Sequence, residues 1–494
     1  MKMKRKHIVY LLIILVAISV GCSKSYFDIN TNPNLATSTT PELVLPNALK
    51  TTAAYEVTGF AYISGWMGFW APSGSYATSS SDVASYHQTT DTYTGSWSFY
   101  YDNLEDYDYV EKQAMAQGKP FYVGVAKVMK TFIFQRLVDM YNNIPYTEAL
   151  QGTSAITPKY DNGLDVYNAI TDQLDSAVTL LQNPGVVSDA DISDIMFQGD
   201  ATKWIQFANS LRLRILIRQS QMSDRQDYIK SEIAKIQANG GGFLTQDAAV
   251  NPGYAASDKQ QNPTWGYFVT LTGNPTSGGR ADYWRANSTS IDFMEKNNDP
   301  RVGQIYSSVG GEYKGNQLGN QNNIPGTGSS SFGPGILKSV DQDAILMTAA
   351  ESYFLQAEAN LRGYLGTPQD AVTNYQSGVQ ASFDYLGAGD ATAYYSQAGN
   401  KNTNINACTS FQEKLALIIR QKWVAENSLT PFEAWCDYRR LGLPAIPLSQ
   451  SPFVDNPNIP LRILYPTGEY SYNAENVNAQ GAIDAHASKV FWMP

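Results

Sequence analysis

Helical periodicity is the feature that most limits how this chain folds. Apolar residues recur at spacings of three and four across two stretches, about residues 100–236 and 343–441. Such spacing predicts amphipathic helices that each bury one face. The predicted helices span residues 123–140, 164–181, 202–220, 343–361, 368–386, 410–428 and 431–441. Successive helices of this length favour antiparallel pairs, so the predicted fold class is mainly α, with a tetratricopeptide-like helix-pair scaffold.

Two polar stretches interrupt the helical pattern. A further helix is predicted at about 41–70, and a Ser-, Thr- and Tyr-rich loop follows at 72–95. The second stretch, 239–335, is rich in Gly, Asn and Ser but also contains aromatic residues. A loop-rich insertion of that length is usually functional or disordered, and its aromatic residues argue against disorder. The irregular C-terminal segment, 444–494, ends in apolar residues, and we expect it to pack onto the helices.

The N-terminus has the pattern of a secretion signal. Basic residues at positions 2, 4, 5 and 6 precede an apolar run over 8–20, and Gly21 and Cys22 follow. The run is shorter than the roughly 20 residues that span a bilayer, but it suits a signal-peptide core. Small residues before Cys22 are typical of a bacterial lipobox. We therefore expect removal of residues 1–21, lipidation of Cys22, a tether over 22–40 and a single body over 41–494. An ordinary signal peptide cut nearby is the alternative.

Charge and cysteine content exclude several classes of protein. The 494-residue chain has 35 basic and 45 acidic side chains, a net charge of −10. Removal of residues 1–21 leaves 31 basic side chains against the same 45 acidic ones, a net charge of −14. A nucleic-acid partner is not expected, because its phosphates attract basic surfaces. Cys408 and Cys436 are too few for a disulfide framework, and neither has zinc-ligand spacing. They either pair with each other or, as we expect, pack as small buried side chains.

The sequence contains few groups suited to catalysis. Beyond the signal peptide, the only histidines are His87 and His486, and the common hydrolase, zinc-protease and nucleotide-binding motifs are missing. A glycosidase needs only two carboxylates and remains an alternative, with candidates Asp82, Asp91, Asp102, Glu105 and Asp282. The acidic stretch 102–108 offers oxygen ligands for calcium but lacks EF-hand spacing, so no required cofactor is expected.

Aromatic residues provide the positive signal for binding. A flat ring stacks on the C–H face of a sugar, while polar side chains hydrogen-bond its hydroxyls. Both kinds of residue are concentrated in the 72–95 loop and the insertion. The candidate ligand-binding residues are Trp66, Trp70, Tyr76, Trp97, Trp265, Tyr267 and Trp284. We expect alanine at Trp97 or Trp265 to weaken ligand binding without unfolding the chain. Core packing is instead expected for Trp204, Trp423, Trp435 and Trp492.

Several short blocks, in order along the chain, resemble a known family. They include Asn-Thr-Asn-Pro-Asn at 30–34, Gly-Asp at 199–200 followed by Lys-Trp at 203–204, and Ala-Asn-Ser-Leu-Arg-Leu-Arg at 208–214. Further blocks are Asn-Asp-Pro-Arg at 298–301, Gln-Lys-Trp at 421–423, Glu-Ala-Trp at 433–435 and Tyr-Arg-Arg at 438–440. Together they resemble the SusD/RagB outer-membrane lipoproteins of Bacteroidetes over essentially the whole mature chain.

The resemblance implies a function that the residues alone do not. Proteins of this family use a tetratricopeptide-like scaffold with a loop-built face to capture a nutrient, usually an oligosaccharide. They deliver it to a SusC-like TonB-dependent transporter, are lipid-anchored in the outer membrane facing the cell surface, and have no catalytic activity. The resemblance also implies that Arg212, Arg214, Arg439 and Arg440 pair with acids or carbonyls between helices rather than hold ligand. The family's ligand residues form no portable motif, so glycan and peptide ligands both stay open, with glycan expected.

Overall fold

Long helices follow one another through the first half of the scaffold. This computed structural model describes residues 39–187, 193–276, 279–454 and 456–494, so the predicted signal peptide and Cys22 lie outside the described residues. The helices here are α1 (Pro41–Thr58), α2 (Ala61–Trp66), α3 (Asp82–Ser85), α4 (Gly95–Ala116), α5 (Pro120–Tyr141), α6 (Gly163–Gln182), α7 (Ala201–Arg218) and α8 (Gln226–Asn239). Helix α5 packs against both α4 and α6, and α6 packs against α7. The predicted helix pairs are therefore present.

The second half of the scaffold repeats this arrangement after the insertion. The insertion contains the short helices α9 (Pro263–Phe268), α10 (Arg280–Tyr283), α11 (Ser288–Lys296) and α12 (Val302–Ile305). The scaffold then continues with α13 (Ala349–Leu361), α14 (Pro368–Leu386), α15 (Thr392–Tyr395), α16 (Phe411–Glu426) and α17 (Pro431–Leu441), and the tail contains α18 (Thr467–Tyr472) and α19 (Ala474–Asn478). Helix α13 packs against α14, α16 and α7, which joins the two halves. The mainly α, helix-pair fold class is confirmed.

Local sequence signals explain the helix ends that were predicted well. Helix α14 begins with a capping box between Thr367 and Asp370 and ends at Gly387, whose φ of 73° is left-handed. Helix α16 begins with a second capping box, between Ser410 and Glu413. Each box satisfies backbone N–H groups that the first helical turn leaves without partners. The boundaries of α14 and α16 are therefore set by residues visible in the sequence.

Short strands account for two of the differences from prediction. The predicted helix at 343–361 begins instead with β4 (Ala344–Met347), which pairs antiparallel with β2 (Ala248–Val250). The predicted helix at 41–70 breaks after Thr58 and ends at Trp66, before β1 (Trp70–Pro72). Strand β1 pairs antiparallel with β3 (Trp284–Ala286), with Trp70 opposite Ala286. This second pair ties the 72–95 loop to the insertion.

Buried arginines join the helices through ion pairs. Arg214 of α7 donates two hydrogen bonds to Glu351 of α13, at 2.7 and 3.0 Å, and neither side chain is exposed. Arg440 donates to Glu358 at 2.7 Å, and Arg212 pairs with acids of α6 and α8. Arg439 donates instead to two backbone carbonyls. The pairing implied by the family resemblance is confirmed at all four arginines.

The C-terminal segment packs onto this scaffold as expected. Val490 and Trp492 are buried, and the indole N–H of Trp492 donates to Asp139 Oδ1 at 2.8 Å. Cys408 and Cys436 are also buried, each with a free thiol, and lie in separate hydrophobic clusters. The two cysteines therefore pack as small side chains and do not pair.

Two units are distinguished along the chain. Met1–Thr40 lies almost entirely outside the described residues, and Pro41–Pro494 contains all the helices and strands above. Across the described ranges, the helices are too short or too polar to cross a bilayer.

Candidate ligand-binding face

Four chain segments meet beside β1 and β3. The Gly74 N–H donates to the Ile324 carbonyl at 2.8 Å, and the Gly326 N–H donates to Ser75 Oγ at 3.0 Å. We call the surface formed by residues 73–76, 263–276, 279–285 and 324–332 the loop face. Its segments come from the 72–95 loop and from the insertion, the regions that contain four of the seven predicted ligand-binding residues, Tyr76, Trp265, Tyr267 and Trp284.

Two glycines allow the segments to approach this closely. A Cβ atom on Gly74 would lie 1.7 Å from the Asn323 carbonyl oxygen, and one on Gly326 would lie 2.0 Å from Asp282 Oδ1. The contact at Gly74 is with backbone, so glycine is required there, whereas a side chain at Gly326 would displace the Asp282 carboxylate.

Half-buried aromatic rings stand on the loop face. The rings of Tyr76 and Tyr283 lie 5.4 Å apart with their planes at 58°. The Tyr76 hydroxyl donates to Asp282 Oδ2 at 3.0 Å, and this hydrogen bond, with a smaller effect of burial, raises the pKa of Tyr76. The Arg280 guanidinium lies 4.2 Å from the centre of the Tyr267 ring. The face thus presents flat rings with polar groups at their edges, the combination that sugar recognition uses.

A cavity of about 520 Å³ opens on the loop face. Its walls include the apolar side chains of Phe268, Val269, Pro275, Phe332 and Leu337, and its polar groups include those of Thr276, Asp282, Arg285, Thr327 and Ser331. Apolar walls with a few polar groups, in a volume of this size, are typical of small-molecule sites.

The predicted ligand-binding residues divide into two sets. Trp66, Trp70, Trp97 and Trp284 expose only 1, 5, 7 and 6% of their surface and lie in the packed core. The indole N–H groups of the first three donate to acceptors inside the protein, at 2.8 to 3.2 Å. Their rings are packed against other side chains, so these four residues are poorly placed to contact a ligand.

The other three predicted residues stay available to ligand. Tyr76, Trp265 and Tyr267 are half-buried and belong to the loop face. The four tryptophans expected in the core, Trp204, Trp423, Trp435 and Trp492, are all buried. Trp66 ends α2 and Trp70 begins β1, both inside the core. Tyr76 follows β1, and Trp265 and Tyr267 lie in the short helix α9 of the insertion.

Sequence reasoning did not predict the cationic residues of the loop face. Arg280 and Arg285 flank the stretch Ala-Asp-Tyr-Trp at 281–284. An arginine at each end of an aromatic-rich stretch in a long insertion was the available signal. The buried cavity-wall residues Phe268 and Phe332 have no comparable signal, because they approach each other, at 4.2 Å between ring centres, only in the folded chain.

Other cavities have charged walls. One of about 400 Å³, between α4 and α5, is lined by Asp108, Glu111, Lys127 and Lys130. These residues satisfy one another, with Lys127–Glu111 at 2.8 Å and Lys130–Asp108 at 2.7 Å. Because these charged groups already pair with one another, few of them can bind a ligand. The loop-face cavity is therefore the better candidate for the ligand-binding site.

The carboxylates proposed for a glycosidase lie in more than one place. Asp102 and Glu105 line a cavity of about 340 Å³ that is also lined by Glu148, Glu469 and Trp97. Asp282 instead lines the loop-face cavity. The glycosidase alternative would therefore use the cavity beside α4.

The two histidines line one cavity of about 360 Å³, together with Asp484. His486 Nδ1 lies 2.8 Å from the Asn458 carbonyl oxygen, and Nε2 lies 3.1 Å from the Tyr86 carbonyl oxygen. Because both ring nitrogens face backbone carbonyls, His486 links two loops and is poorly placed to act as a catalytic base.

Within the acidic stretch 102–108, Asp108 already pairs with lysines. Asp108 pairs with Lys130 at 2.7 Å and also with Lys112. Over the ranges of the chain described above, no three His, Cys, Asp or Glu side chains are placed to hold a metal ion. The expectation that no cofactor is required stays a prediction.

Comparison with known families decides the assignment. Residues 33–466 match the family model SusD-like_2, described as "Starch-binding associating with outer membrane". The chain belongs to the SusD-like family. Its family is therefore one of binding proteins associated with the outer membrane. No curated protein sequence matches the chain.

Solved SusD-like structures share the fold. A SusD-like protein from Bacteroides thetaiotaomicron has 23% sequence identity and a TM-score of 0.74, over 92% of this chain and 98% of that one. A chitin-binding SusD homolog from Flavobacterium johnsoniae has 24% identity and a TM-score of 0.73, over 91% and 97%. A SusD homolog from Bacteroides uniformis has 26% identity and a TM-score of 0.71, over 91% and 99%.

Proposed function

We propose that this SusD-like protein captures an oligosaccharide or polysaccharide on its loop face and delivers it to a SusC-like TonB-dependent transporter. It binds without catalysing a reaction. The observation that carries the proposal is the 520 Å³ cavity beside half-buried Tyr76, Tyr267 and Tyr283. The starch-binding description of the family and the chitin-binding homolog support glycan as the ligand class.

The proposal places the protein at the outer membrane by a lipid on Cys22, facing the cell surface. The signal-peptide pattern over residues 1–21 supports this placement, as does the outer-membrane association of the family. Replacing Cys22 with serine should move the protein from the membrane fraction to the soluble fraction of the native cell. A Cys22→Ser protein that stayed in the membrane fraction would refute the anchor.

The ligand class can be tested with protein that lacks residues 1–22. We expect retardation in native gels by a polysaccharide within a broad panel, and no retardation by a peptide mixture. A shift with peptides alone would replace glycan by peptide as the ligand. Release of reducing ends on prolonged incubation would instead indicate a glycosidase.

The position of the site can be tested with single aromatic variants. Each stacked ring contributes about 1 kcal/mol, so Tyr76→Ala or Trp265→Ala should weaken the affinity about fivefold. Tyr472 is 84% exposed and lies outside the loop face, so Tyr472→Ala is a matched control that should bind normally. Normal binding by both loop-face variants would refute the site. Trp97→Ala should mainly destabilise the fold, because its ring is buried.

A further inference from the structure

Arg285 has an unusual environment for a half-buried cation. It lies in β3 between Trp284 and Ala286, which are both buried, so alternation along the strand turns Arg285 to the opposite side, where it lines the loop-face cavity. One of its N–H groups donates to the Gly326 carbonyl. Its Nε is buried and meets no acceptor in the part of the chain that the structure describes.

Most buried scaffold arginines do not share this environment. Arg439 and Arg462 also donate to backbone carbonyls and, among the described residues, form no ion pair, but they do not line the loop-face cavity. Buried Arg136, Arg214, Arg218, Arg301 and Arg440 each contact at least one carboxylate. Within the described residues, Arg285 forms no ion pair, and apolar side chains make up much of the wall around it. Burial lowers the pKa of Arg285, and the more distant charge of Asp282 only partly offsets this effect. A half-buried cation without a carboxylate partner loses part of its hydration at a cost in stability, so the position of Arg285 in a cavity wall calls for a functional explanation.

A second cation lies beside the first. Arg280 is exposed over the Tyr267 ring and, within the described ranges, also forms no ion pair. The acid in the cavity wall, Asp282, already accepts a hydrogen bond from the Tyr76 hydroxyl. The loop face is therefore locally positive on a chain whose net charge is −10. An anionic group of a ligand would be attracted here and repelled over much of the remaining surface.

We propose that the loop-face cavity binds a sugar that carries a carboxylate, and that Arg285 pairs with this carboxylate. The proposal rests on the proposed function and narrows its substrate class to acidic glycans. The planar guanidinium fork matches a carboxylate with two parallel hydrogen bonds, and the apolar wall strengthens such a pair by excluding water. Tyr76 and Tyr283 stand at the same face to contact the sugar ring.

The test compares acidic polysaccharides with their carboxyl-reduced forms. The probes are polygalacturonate, alginate, hyaluronan and glucuronoxylan, each before and after reduction of the carboxylates to alcohols. At least one acidic polymer should bind roughly tenfold or more tightly than its reduced form, because charge-assisted hydrogen bonds are lost. Arg285→Gln should abolish the difference, and Arg285→Lys, which keeps the charge but loses the fork, should restore part of it.

Arg420→Gln is the matched control. Burial also lowers the pKa of Arg420, which donates to Asn402, but Arg420 does not line the loop-face cavity. This variant should keep the full preference, and thermal unfolding of all variants shows whether they remain folded. Should Arg285→Gln fail to fold, wild-type preference for the acidic forms decides the ligand class, and Arg280→Gln should reduce that preference.

The outcomes separate the two proposals. Equal binding of acidic and reduced polymers, or binding of neutral glycans only, would overturn the acidic-sugar proposal and leave glycan capture standing. Binding of no polysaccharide would overturn both. Binding of a peptide with a free terminal carboxylate, but not of its amide or of any polysaccharide, would assign Arg285 to peptide carboxylates and overturn the sugar assignment.

Discussion

Replacement of Gly74 by alanine tests how the loop face is held together. The added Cβ atom would lie 1.7 Å from the Asn323 carbonyl oxygen, well inside van der Waals contact. Both atoms belong to the backbone or are fixed to it, so the segments must separate by more than an ångström. Separation breaks the hydrogen bond from Gly74 to Ile324, at 2.8 Å, and weakens the one from Gly326 to Ser75, at 3.0 Å.

The magnitude follows from these contacts. Two hydrogen bonds contribute about 1 kcal/mol each, and overpacking adds about 1 kcal/mol or more. The free energy of unfolding should therefore fall by about 2–4 kcal/mol if the loop face unfolds together with the scaffold. If the loop face opens locally, the scaffold transition should persist while the loops lose protection from hydrogen exchange. Glycan binding should be lost in both cases.

Gly95→Ala is the control for this substitution. Gly95 is the first residue of α4, and a Cβ atom there would meet nothing within 4 Å. Alanine should leave stability unchanged or raise it by up to about 1 kcal/mol. Urea unfolding and hydrogen exchange of segments 73–76 and 324–328 are the measurements. Unchanged stability, protection and binding in Gly74→Ala would refute the close approach of these segments.

Three further predictions concern the scaffold. Trp492→Ala removes a buried ring and its hydrogen bond to Asp139, and should lower the free energy of unfolding by about 3–5 kcal/mol in urea. Arg214→Met should cost about 3–5 kcal/mol because it leaves Glu351 buried without its partner, and a second change of Glu351 to methionine should recover much of the loss. Burial raises the pKa of Tyr465 to about 12, partly offset by a nearby arginine. The folded-state pKa exceeds the unfolded value of about 10, so the neutral hydroxyl of Tyr465 stabilises the fold fully below pH 10 and this contribution is lost as the pH rises towards 12. The free energy of unfolding of Tyr465→Phe, measured in urea, should therefore fall less steeply over this pH range than that of the wild-type protein.

Scaffold elements were predictable because their signals are local. Apolar spacing, the two capping boxes and the residues at helix ends together define α14 and α16 within the sequence. The error at 343–361 also has a local cause. The buried run of β4, Ala344–Met347, is apolar at every position, and such a run does not distinguish a strand from a helix. Its pairing with β2, nearly a hundred residues earlier, settles the difference.

The binding face was predictable as a region but not residue by residue. Trp66 and Trp265 look equally aromatic in the sequence, yet one is 1% exposed and the other half-buried on the surface. The difference arises because Trp66 ends a helix whose neighbours cover it, whereas Trp265 lies in a short helix of the insertion. Only the three-dimensional packing decides which rings are covered. The position of Arg285 likewise depends on β3 pairing with β1, a contact between residues about two hundred positions apart.

Position as well as pairing separates the scaffold arginines from Arg285. Arg439 also lacks an ion pair among the described residues, but it is packed between α5 and the C-terminal segment. Scaffold arginines such as Arg214 and Arg440 contact carboxylates between helices, and replacing them should affect stability first. Arg285 donates to a carbonyl and forms part of the cavity wall. Replacing it should remove the cost of desolvating its charge and also remove a ligand contact. Arg285→Gln should therefore bind acidic glycan more weakly without a loss of stability. Arg214→Met should lose stability but bind acidic glycan normally at temperatures where it remains folded. If Arg285→Gln were instead destabilised as much as Arg214→Met, Arg285 would also be a structural residue, and the preference of the wild-type protein for acidic over reduced polymers would decide the ligand class.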